Sequence, residues 1–533
     1  MKNNNLVIIN YYESYFYFFV WSCAIFYSVY QFYLANNYFN DYYDAYGDFD
    51  SGWFWVRKKR DTSDQEWLVW LTLVNKLIPY VFIHHFISQI IKVNSNSMIL
   101  CYWYILSSII FLYYYLGTLA MFCAILQPSF LHIMTCICSK NAAWIIHILY
   151  LFIIHILKIP NGTFQSWLEI TDEKHYILTL IMCWIHLRSI SHTIDSIDDQ
   201  FSSSNNFIQK LAYCLYLPTL FLGPLILYHE FVESVGIIII IIIVIVIIVI
   251  IIVIKSQNSI FCLDIFQINQ PHQYWNCQKL LTFMLNLIRY MFWLYFTDLL
   301  LHFIYINAVQ YHLQVIQNLN SWALFGLGYC MGQFFLNKYV AIYGTCSNLC
   351  YLDNIKAPSQ PKCIARIHLY SDMWKYFDRG LYKFLIRYIY IPIRKSNGYF
   401  GKLFASFLCF TFVFIWHGIQ INIFIWTLLN FIGIVIEDIG VSIGKSKQYH
   451  KIQNTYLSSK NTKRLNCILA SPLLAMSAIS NFYFLGGQDI GNIFIQNILY
   501  GSWKNLLVLL FFLYCCCQVS EDVKSWELRR TKS

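Results

Sequence analysis

Apolar runs of about 20 residues, separated by short polar breaks, recur along nearly the whole chain, the length a bilayer core about 30 Å thick requires. The first, from about Leu6 to Tyr33, lacks a small-residue cleavage site and is too long for a signal-peptide core, so it predicts a retained membrane helix. Further runs fall at about 67–93, 98–116, 118–138, 143–158, 176–191, 237–254, 280–306, 321–346, 400–418, 421–437, 466–484 and 502–518. By length they predict roughly eleven to thirteen membrane segments in one all-α, polytopic body spanning residues 1–533. Leu211–Phe231 is interrupted by Tyr216-Leu-Pro218 and Leu222-Gly-Pro224, which predicts a kink or re-entrant turn whose freed backbone groups are satisfied inside the protein. Ile237–Ile254 is almost pure Ile/Val and long enough to span.

The polar breaks carry their own expectations. Residues 37–66 are acidic up to Asp50 and then basic at Arg57-Lys-Lys-Arg60, with Trp53 and Trp55 just before the cluster, predicting an interfacial loop or surface helix. Thr193–Asn206 and the segment between Asn348 and Ser371 are expected to be loops, and Glu521–Ser533 a soluble charged tail. Asn161-Gly-Thr163 fits a glycosylation acceptor if it faces the lumen.

Composition agrees with the runs. The chain is 58% hydrophobic and 12% charged, about half the roughly 25% charge of soluble domains. The net charge of +10 comes without a basic arm or an aromatic–basic recognition module, so nucleic acid is not an expected partner. None of the 18 cysteines falls in a short-spaced zinc set. His84 and His85 would point about 100° apart on a helix, so a metal shared between them is not expected.

The chemistry gathers in residues 363–418. Taken as one helix, Met373–Arg387 sets Lys375, Arg379, Lys383 and Arg387 in a slowly drifting basic stripe, with Trp374, Asp378, Leu381 and Leu385 on a neighbouring face. The stripe suits an anionic ligand, equally an acidic lipid surface with Asp378 paired to a cation one turn away. His417 ends the apolar run Leu403–Trp416, and imidazole, with an unperturbed pKa of about 6.5, is a base near neutrality. Ionisable groups in or beside lipid are costly, which makes Asp378 and His417 site candidates.

The stretch Asp372-Met-Trp-Lys-Tyr-Phe-Asp-Arg-Gly380, its continuation to Pro392 and Trp416-His-Gly418 resemble the membrane-bound O-acyltransferase superfamily, and within it the hedgehog acyltransferase group. Asp64-Gln-Glu-Trp-Leu-Val-Trp70, Leu222–Phe231 and Ser480-Asn-Phe-Tyr-Phe-Leu-Gly-Gly-Gln-Asp489 agree in order. The resemblance implies an endoplasmic reticulum enzyme that moves palmitate from palmitoyl-CoA to the N-terminal cysteine amine of a secreted, hedgehog-like signalling protein, by way of a tunnel through the membrane. It implies His417 as the catalytic histidine and Asp378 as its acidic partner. It also places Trp374 and Lys375 near the CoA, Asn481 on the acyl thioester, and a haem thiolate ligand at Cys363. The sequence departs from the group at Ile393-Arg-Lys-Ser-Asn397 and at Gly418-Ile419, which bears on acyl-chain and acceptor preference. The competing expectations are transfer to a lysophospholipid or glycerol-type acceptor, and a non-enzymatic membrane scaffold of the same fold.

Overall fold

The computed structural model describes residues 10–39, 47–93, 97–136, 138–198, 207–235, 275–363, 367–395 and 398–530. The Ile/Val run at 237–254 lies outside them. Helix α1 (Tyr11–Phe39) is followed by a two-residue hairpin, β1 (Phe49–Asp50) paired antiparallel with β2 (Arg60–Asp61). Next come α2 (Gln65–Val93), α3 (Ser97–Leu116), α4 (Thr118–Thr135), α5 (Lys140–Leu157), the short α6 (Thr163–Leu168), α7 (Asp172–Ile197), α8 (Phe207–Cys214) and α9 (228–235). The second half holds α10 (Cys277–Leu300), α11 (Leu313–Gln317), the long α12 (Ser321–Leu352), α13 (Tyr370–Tyr376), α14 (Arg379–Leu385) and α15 (Ile391–Arg394). It closes with α16 (Gly398–His417), α17 (Ile421–Gly444), α18 (Lys447–Tyr456), α19 (Ser459–Leu499) and α20 (Trp503–Arg530). Among the described residues ten helices are long and apolar enough to cross a membrane, and the apolar part of α16 is a shorter eleventh. The protein is an all-α, multi-pass membrane protein.

Burial follows the layers. The apolar part of α7 is almost wholly enclosed, whereas α1, α5 and α10 present long rows of exposed Phe, Tyr, Ile and Leu. Such rows are what lipid-facing helices carry. The long α12 packs against α1, α10 and α19 and forms the central post.

Between α8 and α9 the chain is irregular apart from one 3₁₀ turn at Leu217–Thr219, and Tyr216, Leu217, Leu220 and Leu225 are buried there. Its backbone groups are met from inside, as irregular backbone at membrane depth demands. Arg188, 1% exposed, donates to the carbonyls of Cys214 (2.9 Å) and Thr219 and to Thr219 Oγ1 (2.9 Å). Ser108 donates to the Leu215 carbonyl (2.5 Å), Tyr213 to that of Ile226 (2.6 Å), and the Tyr228 N–H donates to Ser191 Oγ (2.9 Å).

Several sequence expectations need correction. Residues 193–197 continue α7 rather than opening a loop, and α12 runs on to Leu352. The charged end is not a free tail, because α20 continues to Arg530 and is tied down along its length. Lys524 holds Asp372 (2.8 Å), Asp522 holds Lys463 (2.5 Å), Glu527 holds Lys362 (3.0 Å) and Glu521 approaches His368 (3.4 Å). His84 and His85 also depart from expectation, since both imidazoles turn toward Asp353, at 3.4 and 3.2 Å from its Oδ2. In the 37–66 insertion, Arg60 is bound by Asp50 (2.5 Å) and Asp298 (3.0 Å), while Phe54 and Trp55 stand fully out from the body.

Candidate active site

The expected helix over Met373–Arg387 is not continuous. It breaks at Phe377-Asp378, because the Asp378 carboxylate is spent on capping a new helix, with Oδ1 accepting the Leu381 N–H at 2.9 Å. The first short helix, α13, is itself held at its start by Glu437 of α17, whose carboxylate accepts the N–H groups of Tyr370 and Ser371. After α14 the turns widen into a π-helical stretch over Ile386–Tyr390 before α15. Gly380 permits the break to sit deep. A Cβ there would lie 2.3 Å from the Leu225 carbonyl oxygen, so only glycine lets the irregular 220–227 segment pass this close.

The break dissolves the basic stripe into separate contacts. Lys375 and Arg379 lie over the Tyr376 ring, at 5.1 and 5.3 Å from its centre. Lys383 is paired with Glu230, and Arg387 with Asp195 (3.0 Å), whose other oxygen accepts from the Tyr388 hydroxyl (2.8 Å). The Lys383 pair is half-exposed, so Lys383→Ala is expected to change the unfolding free energy by less than about 1 kcal/mol, read by thermal melting in detergent.

His417 is the last residue of α16. Its imidazole is boxed by rings, with centroids 4.7 Å from Trp416, 5.2 Å from Trp426 and 5.3 Å from Phe484, all nearly perpendicular to it. Neither ring nitrogen makes a hydrogen bond among the described residues, unlike His155, which binds the Ile415 carbonyl and ties α5 to this helix end. Trp426 links the histidine to Trp374, whose ring centre lies 5.7 Å away and whose indole N–H donates to Asn430 Oδ1 (2.9 Å). Asn430 in turn donates to Ser480 Oγ (3.3 Å). Trp374 and His417 therefore share one aromatic wall.

On α19, Asn481 points its amide toward Met373 Sδ (3.7 Å) and lines a mostly apolar cavity of ≈ 240 Å³ together with Met373, Tyr329, Phe482, Phe494 and Cys516. Phe484, one turn along, faces the imidazole instead. The cavity and His417 are thus separated by a single helix face, and His417 is not part of the cavity lining. The helix breaks beyond them at Gly487, whose φ of 82° is a left-handed value that suits glycine.

Asp378 does not meet the imidazole. Its Oδ2 accepts from the buried Tyr343 hydroxyl (2.9 Å), and the connection to His417 runs through rings. Tyr343 faces Trp184 (6.5 Å), which faces Trp416 (6.2 Å). On the other side, Phe377 stacks on Phe335 (5.2 Å), which meets Phe484 (5.8 Å). Cys363 is a free, half-buried thiol that does not line this cavity. Nothing in the structure adds support for a haem there, and no step is routed through one.

Periodicity missed Tyr343, Trp426, Phe484, Glu437 and Asp195, because each acts across helices. The stretches that agree in order do converge here. Asp64 and Glu66 clamp Lys338 (2.9 and 2.8 Å), Tyr339 donates to Glu66 (3.0 Å) and meets Tyr343 edge-on (5.1 Å), and Glu230 and Leu225 meet α14.

Residues 260–480 match the family model of MBOAT, the membrane-bound O-acyltransferase family. The chain is 30% identical over 361 residues to the protein-cysteine N-palmitoyltransferase Rasp of Drosophila melanogaster, a match covering 67% of this chain and 64% of that protein. It is 25% identical over 482 residues to the protein-cysteine N-palmitoyltransferase HHAT of Mus musculus, covering 86% and 88% of the two. A more distant similarity, 23% over 349 residues, joins it to the membrane-bound O-acyltransferase GUP2 of Saccharomyces cerevisiae, covering 61% of this chain and 46% of that one. The chain thus spans just under two thirds of Rasp and most of HHAT.

Proposed function

The chain carries a membrane-bound O-acyltransferase domain over residues 260–480, and on that premise we propose that it is a protein-cysteine N-palmitoyltransferase. It takes palmitate from palmitoyl-CoA and places it on the α-amine of an N-terminal cysteine in a secreted, hedgehog-type protein, in the endoplasmic reticulum membrane. Both Rasp and HHAT are protein-cysteine N-palmitoyltransferases by name, which supports this acceptor over others.

The observation that carries the reading is the His417 imidazole, held at a helix end by three rings, with neither nitrogen hydrogen-bonded among the described residues. A histidine kept only for structure would spend its nitrogens on a carbonyl, as His155 does. An α-amine has a pKa of about 7.7–8.0, so a neutral imidazole need only take a proton as the amine attacks the thioester carbon. The C–N bond forms, the C–S bond breaks, and the departing CoA thiolate takes the proton back from the imidazolium. No acyl-enzyme is needed.

The remaining residues bind and aim. Trp374 is fixed by Asn430 beside Trp426, so it can close over a thioester next to the histidine. Asn481 lines an apolar cavity suited to a fatty chain, with its amide toward Met373. Lys375 and Arg379 are the cations best placed for the CoA phosphates, whereas Lys383 and Arg387 would have to share theirs with Glu230 and Asp195.

The test offers labelled palmitoyl-CoA to the purified protein with a peptide bearing a free N-terminal cysteine and a lysophospholipid in the same reaction. Label on the peptide is the expected result. Label in phospholipid would transfer the reading to a lipid acyltransferase, and label in neither would leave only a scaffold.

A further inference from the structure

Away from His417, where the end of α12 meets α2, a second set of polar side chains is buried together. Asp353 directly follows α12 and is 1% exposed. Lys92 donates to its Oδ1 (3.1 Å) and to its main-chain carbonyl (2.9 Å), and the Tyr216 hydroxyl donates to its Oδ2 (2.8 Å). The same Oδ2 lies 3.4 Å from His84 Nε2 and 3.2 Å from His85 Nδ1, and the three atoms all fall within 4.8 Å of one another.

The protons do not account for this approach. Ser107 donates its hydroxyl proton to the Tyr104 carbonyl (3.2 Å), so its oxygen receives the N–H of His84 Nδ1 (2.7 Å). That tautomer leaves Nε2 as a bare lone pair, aimed at a carboxylate oxygen. His85 completes no hydrogen bond from either nitrogen, and the two histidines are 0% and 2% exposed. A cation between the three atoms would satisfy the His84 Nε2 lone pair and the Asp353 oxygen together, which neither the Lys92 ammonium on Oδ1 nor the Tyr216 hydroxyl does for Nε2.

We propose that His84 Nε2, His85 Nδ1 and Asp353 Oδ2 are the ligands of a divalent transition-metal ion of the zinc class. Two imidazoles and a carboxylate are a zinc donor set, and bonds of about 2.0–2.2 Å place neighbouring ligand atoms roughly 3.3–3.6 Å apart, close to the nitrogen–oxygen distances of 3.4 and 3.2 Å. The outer atoms are held as metal ligands usually are: Ser107 fixes the His84 tautomer and Lys92 fixes the free carboxylate oxygen. The Tyr216 hydroxyl, donating to Oδ2, holds the ligating carboxylate in place from outside the ligand set. Adjacent histidines can share the ion because one binds through Nε2 and the other through Nδ1, which offsets the angle between their Cβ directions. The site would pin α2 and the end of α12 to the irregular segment that carries Tyr216 and, further on, the Leu225 turn against α14. It stands independently of the acceptor proposed above.

The test loads the purified full-length protein in detergent with Zn²⁺ alone, removes loose metal by desalting and counts zinc by mass spectrometry, beside His85→Gln treated identically. The expected result is one zinc per chain in the wild type and an affinity about tenfold or more lower in the variant. Cobalt in place of zinc is expected to give weak visible bands of a nitrogen–oxygen site in the wild type, a readout that holds even where H85Q does not elute as a folded protein. Equal zinc in both proteins, none in the wild type, or a thiolate charge-transfer band from the cysteines would each overturn the proposal.

Discussion

His417→Ala is expected to lower palmitoyl transfer to a free N-terminal cysteine by about 10²–10⁴-fold, the usual contribution of a positioned general base. The loss should fall on kcat, because among the described residues the imidazole makes no hydrogen bond and its contacts are with three rings. Removing the ring opens space among Trp416, Trp426 and Phe484, and His417→Gln, which fills it without a base, separates that packing effect from the chemistry. Both variants should elute from a sizing column as the wild type does. Acetylating the peptide's N-terminus in the wild-type reaction should give the same blank as the alanine variant, since each removes one partner of the same proton transfer. An alanine variant that still labels the peptide would remove the mechanism.

The place of that histidine at the end of a helix was legible from the sequence, because it closes an apolar run and stands in Trp416-His-Gly418. So was the polytopic helical body, since the apolar runs are dictated by the thickness of lipid and not by long-range contacts. What escaped was whatever depends on a partner elsewhere in the chain. The charged end of α20 has the composition of a soluble tail, yet Asp372, Lys463, Lys362 and His368 neutralise it and keep it helical. The four-residue spacing of Lys375, Arg379, Lys383 and Arg387 suggested one face, but the spacing has meaning only within an unbroken helix, and Asp378 breaks it. The signal for that break was local: an aspartate three residues before Leu381 is a helix cap as readily as a charge partner. For His84 and His85 the fixed angle between neighbouring side chains was a sound constraint on Cβ directions. It did not allow for the two different ring nitrogens, nor for an acid 268 positions further on (353 − 85) turning up between them.

Asp378 is the residue whose expected and observed roles differ most, and its substitution carries the second large effect. The carboxylate is not on the imidazole. One oxygen caps α14 and the other holds Tyr343, from which ring contacts lead through Trp184 to Trp416, the neighbour of His417. Asp378→Ala loses the cap, at a cost of about 1 kcal/mol, and strands the buried Tyr343 hydroxyl, at about 1–3 kcal/mol, so the protein should be destabilised by about 2–4 kcal/mol. A displacement of about 1 Å in the wall behind a reacting group is enough for a 10²-fold loss of rate, and the alanine variant is expected to lose about that much in kcat. Asp378→Asn keeps the side-chain oxygen that caps α14 and leaves an amide that can donate to the Tyr343 oxygen. If Asp378 positions the site, the asparagine variant melts within about 1 kcal/mol of the wild type and recovers most of the activity, because capping by asparagine and aspartate is nearly equivalent. An asparagine variant as stable as the wild type and as inactive as the alanine would show that the negative charge itself acts on the reaction, and Asp378 would then have to be drawn into the chemistry beside His417.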